Sequence, residues 1–240
     1  MRCWRMVYHT TASHQVYQLR IVLKDVSPMI RRRILVTDTT SISDLHVILQ
    51  IILEWSDDHL NQFIIRGKSY GVYHSGGLSF AEDPQTVYLK DFQFRPNEVF
   101  RYEYNFNDGW EFDIRLEKTH AVNPKLNYPY CLGGGRSAPP EDCGGSLAFL
   151  QLDQHYSAAQ MNYDLIRFIH RLAKSQDVES LDELDTGIFD EDEDEDGLDL
   201  ETDLETLRYW ANRHTFNCNK INEVLQAYFN LTDIKKGASK

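Results

Sequence analysis

Trp55, Asp57, Asp58 and His59 place two carboxylates beside an imidazole within five positions. A carboxylate that holds one ring nitrogen fixes the tautomer of the other, which suits an imidazole to base or metal work. The same run also reads as a helix end, with His59 on the C-terminal dipole and Trp55 packed beside it. A second concentration of chemistry is Tyr128 to Gly145, YPYCLGGGRSAPPEDCGG, with two cysteines and the adjacent Glu141 and Asp142. Its five glycines and three prolines erase helix and strand periodicity, so an irregular loop is expected. Tyr128 and Tyr130 argue that the loop is tied down, since apolar side chains would otherwise lose their burial. Cys131 and Cys143 stand 12 apart. With His59 they are the weak candidates for metal ligation, because zinc sites usually carry a closely spaced ligand pair and none exists here. No cofactor is implied. A phosphate-binding glycine loop, a nucleophile elbow and an HExxH helix are all missing from the chain.

These residues need elements to hold them. Tyr17, Leu19, Ile21 and Leu23 alternate and predict a strand; Ile30 to Val36 predicts its partner, which must put arginines of Arg31, Arg32 and Arg33 on both faces. Ser41 with Asp44 signals a helix start. The helix runs to about Trp55, with His46, Gln50 and Glu54 in one polar stripe and Leu45, Ile48, Leu49 and Ile52 opposite. Asn61 to Arg66 and a segment near Tyr70 predict further strands. Phe100 to Leu116 predicts a hairpin with Phe100, Tyr102, Tyr104 and Phe106 facing Trp110, Phe112, Ile114 and Leu116. A three-residue loop, Asn107 to Gly109, matches those faces, pairing Phe106 with Trp110 and leaving Glu103 across from Asp113. Ser157 and Gln160 open a helix with Met161, Leu165, Phe168 and Leu172 inward. Leu200 to Ala211 and Ile221 to Tyr228 predict two more.

The net charge of -12 is a local property. Asp177 to Glu205 carries 16 acidic residues and no lysine or arginine, leaving 21 acidic against 25 basic elsewhere. Seven successive carboxylates, Asp190 to Asp196, resist ordering. Asp192, Asp194, Asp196 and Gly197 resemble the start of a calcium loop, but Asp199 and Asp203 stand where an apolar residue and a glutamate belong. There is no run of 18 apolar residues, which argues against a membrane span. The N-terminus has no apolar secretory segment and the four cysteines no scaffold spacing, so a reduced, cytoplasmic chain is expected.

Several of these motifs together resemble the plasmid pRiA4b Orf-three-like family. They are Ile30-Arg31-Arg32, the Leu45-His46 to Trp55 helix, Asp58-His59-Leu60 with Phe63, Tyr104 to Trp110, Tyr128 to Cys131, and Pro139 to Gly145. A weaker likeness lies at Phe216 to Leu225. The chain departs from the family's pattern at Met29 or Ile30, where tryptophan is common, at Asn107 for a frequent glycine, and at Phe112 near a frequent histidine. The resemblance implies an α+β domain associated with plasmids and transposable elements, with no established activity.

The expected architecture is therefore α+β: a mixed, mostly antiparallel sheet, a buried helix after the first hairpin, and C-terminal helices. The expected organisation is a flexible leader (1–15), the α+β domain (16–176), an acidic linker (177–199), a helical segment packing on the domain (200–232) and a tail (233–240). The expected function is a non-catalytic binding or accessory module for an unknown protein or nucleic-acid partner, without membrane. The second reading is a metal-assisted hydrolase or nuclease using His59, Asp58 and loop carboxylates. The expected binding surface comprises His46, Trp55, Asp58, His59, Tyr104, Asp108, Trp110, Tyr128, Cys131, Glu141 and Asp142.

Overall fold

The computed structural model describes residues 14–71, 80–175 and 200–238. The acidic run Asp190 to Asp196, the calcium-loop resemblance and Cys3 lie outside them. Two compact units divide the chain: residues 1–146 with 216–240, and residues 147–215.

The first unit is built on seven strands: β1 (Gln15–Leu23), β2 (Arg31–Thr37), β3 (Asn61–Ile65), β4 (Lys68–Tyr70), β5 (Val99–Tyr104), β6 (Trp110–Ala121) and β7 (Tyr130–Gly135). They form one sheet in the order β4-β3-β5-β6-β1-β2-β7, and every pairing is antiparallel. Three hairpins account for most of it. At the tightest, Arg66 and Gly67 both take positive φ between β3 and β4, the twist a two-residue turn needs.

One face of the sheet is the core. Leu19, Ile21, Ile34, Phe63, Phe100, Tyr102, Tyr104, Trp110, Phe112, Ile114 and Leu116 are at most 3% exposed. Helix α1 (Ile42–Leu53) meets this face. Ser41 caps it by accepting the Asp44 amide, and Glu54 ends it in the left-handed region. The polar stripe of α1 is not a solvent stripe: His46 and Gln50 are buried with the leucines and isoleucines. Their partner is the Tyr102 hydroxyl, which supplies the hydrogen bonds that make such burial tolerable.

Arg31, Arg32 and Arg33 do divide between the faces. Arg32 is 1% exposed and points inward. Its guanidinium donates to Ile52 O at the end of α1 and to the Arg31 and Arg136 carbonyls, and lies 4.0 Å over the Phe216 ring. One cation thus joins α1, β2 and the chain after β7, placing positive charge where the helix dipole is negative.

Three expectations need correction. First, Tyr128 to Gly145 is not wholly irregular, because Tyr130–Gly135 is the edge strand β7. Glycines carry no side chains to show a period, so strand pattern could not be read there. Helix α5 (Cys218–Ala238) covers that edge: the Asn222 amide accepts from Cys131 N and donates to Cys131 O. Second, the β5–β6 connection is five residues, Asn105 to Gly109, with Tyr104 paired to Trp110 and Tyr102 to Phe112. Phe106 is 38% exposed, whereas Trp110 is fully buried. The core face is the same in both registers because they differ by two residues, and only an odd slip exchanges faces. Asn105 decides the register: it takes left-handed φ and donates its amide to Leu60 O. Glu103 consequently faces Glu111, and Arg101 bridges the two at 3.5 and 3.3 Å. Third, Leu165 and Leu172 on α3 are more than 40% exposed rather than inward.

The second unit contains most of α2 (Gly145–His155), with α3 (Ala158–Ser175) and α4 (Leu200–Asn212). Gln160 N donates to Ser157 Oγ at the start of α3. Tyr156 and Phe149 stack on Trp210, and Arg213 pairs with Asp153.

Candidate functional site

The residues singled out around His59 and Glu141 come together in the first unit, at the end of α1 and the β5–β6 loop. The chain leaves α1 through Glu54 and then Asp57, both in left-handed backbone. Those two bends fold the segment back so that Trp55, Ser56 and His59 meet the loop Pro139 to Asp142, while Asp57 turns to His46 and Asp58 to Ser56.

Trp55 and Trp110 form the seat of that loop. The Trp55 ring stacks on Tyr104 at 5.2 Å and lies 5.8 Å from Trp110. Each indole N–H donates to a loop carbonyl at 2.9 Å, Trp55 to Pro139 and Trp110 to Glu141. Buried indoles need such acceptors, so the two rings fix the loop backbone as well as filling the core. Gly145 closes the loop. A Cβ there would collide with the Asp108 carbonyl, and its φ is +83°. Asp108 accepts the Gly144 amide.

Two histidine–carboxylate pairs flank this seat. In the inner one, Gln50 donates to the Tyr102 hydroxyl (2.9 Å), which donates to His46 Nδ1 (2.7 Å), and His46 Nε2 donates to Asp57 Oδ1 (2.7 Å). The chain of donors sets the tautomer, with the ring proton on Nε2. Burial pushes the Tyr102 hydroxyl well above its ordinary range, so it remains a neutral donor. In the outer pair, His59 Nε2 lies 2.7 Å from Asp142 Oδ1. The oxygen is off the ring N–H direction, so this is an ion-pair contact without a directed hydrogen bond. Asp142 also accepts from Asn105 Nδ2 at 3.2 Å. Its side chain is 71% exposed, against 2% for His46.

Glu141 sits between the pairs. Oε2 accepts the Ser56 amide and hydroxyl at 2.7 and 2.6 Å, and Oε1 accepts the Tyr104 hydroxyl. Burial pushes this carboxyl up. The Ser56 and Tyr104 hydrogen bonds and the nearby His59 more than reverse that, leaving it below the usual carboxylate range. Tyr104 is raised, by burial first and then by its bond to Glu141, and its oxygen also accepts the His59 amide at 3.2 Å. Asp58 is exposed, 2.7 Å from Ser56 Oγ.

Of the expected surface, His46, Trp55, Asp58, His59, Tyr104, Asp108, Trp110, Glu141 and Asp142 belong to this neighbourhood. Tyr128 and Cys131 have other partners: Tyr128 OH accepts the Asn123 amide, and Cys131 is fastened to Asn222 beside Cys218. Burial pushes the Cys131 thiol up to about 12 and the Cys143 thiol to about 11, away from thiolate chemistry. Among the described residues no three His, Cys, Asp or Glu side chains are grouped to hold a metal, so His59, Cys131 and Cys143 are not assembled as ligands. Asp57, Gln50, Ser56, Tyr102 and Asn105 are members that the sequence-based surface omitted. Gln50 was visible as part of the polar stripe on α1, and Asp57 in its run with His59, but nothing local pairs Asp57 with His46 rather than with His59.

Residues 15–191 match the family described as plasmid pRiA4b ORF-3-like protein, and the chain belongs to that family. It is 34% identical over 136 residues to the uncharacterized protein y4hQ of Sinorhizobium fredii, covering 56% of this chain and 69% of that one. The crystal structure of MM3350, a protein of unknown function from Methanosarcina mazei Go1, is similar with a TM-score of 0.53 and 30% identity. The match covers 60% of this chain and 83% of that one. Among the described residues no helix is long and apolar enough to cross a membrane.

Proposed function

We propose that this member of the plasmid pRiA4b ORF-3-like family is a non-catalytic binding module, and that its recognition surface is the rim formed by Asp58, His59, Asp108 and Asp142. The observation that carries the reading is how Glu141 is used. Both of its oxygens are occupied by Ser56 and Tyr104, and its backbone carbonyl by Trp110. A general base needs a free lone pair aimed at substrate. Glu141 instead clamps the loop, and His46 is enclosed with both ring nitrogens engaged.

What remains reachable is the carboxylates of Asp58 and Asp142 and the partly exposed His59 ring, whose Nε2 is itself buried. That set suits a partner offering cationic or N–H donor groups, such as a lysine- or arginine-bearing protein segment. Service to a plasmid or other mobile element belongs to the same proposal and is supported by the family's description alone.

The second reading, a metal-assisted hydrolase or nuclease, is favoured by the approach of His59 to Asp142 at 2.7 Å beside Glu141. Calorimetric titration separates the two. Binding of an arginine-rich peptide that is lost in Asp58→Asn/Asp142→Asn supports the module. Tight Mn²⁺ or Zn²⁺ binding that depends on His59, with hydrolysis of a phosphodiester substrate, replaces it with the enzyme. Failure of the peptide to bind rejects the ligand class.

A further inference from the structure

The sheet face opposite the core carries a second, differently charged surface. Cross-strand pairing sets Arg33 of β2 opposite Arg20 of β1, and Arg20 opposite Arg115 of β6. Three arginines therefore stand in one row, about 10 Å across at ordinary strand spacing. Like charges directly opposite one another destabilise a sheet, so the row is not explained by folding. Arg31 lies two residues along β2 on the same face, and Lys118 stands across from Gln18. Two carboxylates border these cations: Glu117 takes a two-point ion pair from Arg33 at 2.6 and 2.8 Å and a bond from Gln18, and Asp113 stands across Val22 from Arg31. Among the described residues Arg20, Arg31, Arg115 and Lys118 have no ion-pair partner. Arg20 donates to the Met29 sulfur and lies close enough to Glu117 to help hold that carboxyl down, and Arg115 donates to the Asn97 carbonyl at 3.4 Å.

The charge is segregated. On the far half of the same face, Lys24 and Arg101 are outnumbered by Glu103, Glu111 and Asp113, and Lys24 pairs with Glu111 at 2.5 Å. The cationic half also borders bare backbone. Gly135 and Gly133 of β7 pair with Arg31 and Arg33, on the same face as those side chains. Gly134, on the inner face, has a packing reason: a Cβ would come 2.6 Å from the Phe216 ring. Gly133 has a backbone reason, a φ of +156° at the register shift between Arg33 and Ile34, whereas a Cβ on Gly135 would meet only Arg31 at 3.7 Å. Gly135 alone has neither reason, and a strand glycine of that kind leaves room for close approach by a ligand.

We propose that the row Arg33–Arg20–Arg115, with Arg31, Lys118 and the outer face of β7 at Gly135, binds the phosphodiester backbone of single-stranded nucleic acid. Guanidinium forks match phosphate oxygens, and a flat sheet face follows an extended strand. An acidic protein partner fits less well. The cores of protein interfaces are depleted in charge, while nucleic-acid interfaces are strongly positive. This surface is distinct from the acidic rim of the proposed module, so either proposal can fail alone.

The test is fluorescence anisotropy of the full chain with a labelled 12-nucleotide oligo-dT, titrated at 20 to 200 mM salt. The expected result is salt-dependent binding, with Arg20→Gln and Arg115→Gln each weakening it about fivefold and lowering the log–log salt slope by about 0.7. Glu117→Gln removes the carboxylate that pairs with Arg33 and is expected to tighten binding about threefold, a gain that no folding defect produces. Arg101→Gln, on the acidic half, is expected to leave binding unchanged. No binding at 20 mM salt overturns the proposal. So does an equal loss in Arg101→Gln, or tighter binding of an oligo-glutamate peptide than of the oligonucleotide.

Discussion

The two histidine–carboxylate pairs use the same chemistry in opposite surroundings. His46–Asp57 is closed over by α1 and the sheet, with Tyr102 and Gln50 completing its hydrogen bonds. His59–Asp142 lies at the rim, with a carboxylate 71% exposed and a contact off the N–H direction. The residue types cannot tell them apart. What separates them is whether water can replace a lost partner. At His46 only Asp57 reaches solvent, so the inner ring must be satisfied by protein. At the outer pair His59 Nε2 is itself buried but Asp142 is open to water, which leaves the carboxylate free to exchange partners.

The largest expected effect comes from the seat under the outer pair. Trp110→Ala removes a fully buried ring and the donor to Glu141 O, and is expected to cost about 3–5 kcal/mol in urea unfolding. Next is His46→Ala, at about 2–4 kcal/mol, because it strands the Tyr102 hydroxyl and opens a cavity. If His46→Ala cost less than 1 kcal/mol, the inner pair would be no more structural than the outer one, and the comparison would collapse.

Tyr104 connects the clamp to both pairs, and Tyr104→Phe is expected to cost about 1–2 kcal/mol at pH 7. The pH dependence has a definite sign. The folded carboxyl of Glu141 sits below its ordinary value. Its contribution is therefore complete above about pH 4.3 and is lost as pH falls through the folded value. The Tyr104 hydroxyl is one of the bonds that hold the carboxyl down. The Tyr104→Phe penalty should consequently shrink as pH falls below about 4.3 and the carboxyl becomes protonated, in unfolding curves taken across that acid range. A penalty that stays constant across that window would mean that Tyr104 does not act through the ionised carboxylate.

Much of the scaffold was legible because burial imposes a period. Alternation located β1, β2, β5 and β6, the Ser41 cap located the start of α1, and three consecutive arginines on a strand could only divide between faces. The hairpin register was not legible, because hydrophobic matching is blind to a shift of two. The choice fell to Asn105, whose left-handed backbone and bond to Leu60 O are long-range facts. Strand β7 was hidden by its glycines, and the residue that covers its edge, Asn222, lies 91 positions from Cys131. The site was half legible. Composition drew attention to His59, Glu141 and Asp142, but the pairing was crossed, Asp57 going to His46 and Asp142 to His59. Two left-handed residues, Glu54 and Asp57, produce that crossing, and neither is a glycine that would have announced a bend.

The smallest expected effect is at the outer pair itself. Asp142→Asn keeps the shape of the side chain and its contact with Asn105, and removes only the charge facing His59. Exposed ion pairs are worth about 0–1 kcal/mol, and this one lacks a directed hydrogen bond, so a change below about 0.5 kcal/mol in urea unfolding is expected. A change that small would mark the outer pair as dispensable for folding, which is what a recognition surface requires. A stability loss near that of His46→Ala would instead make the rim part of the scaffold, and would remove the ground for placing recognition there.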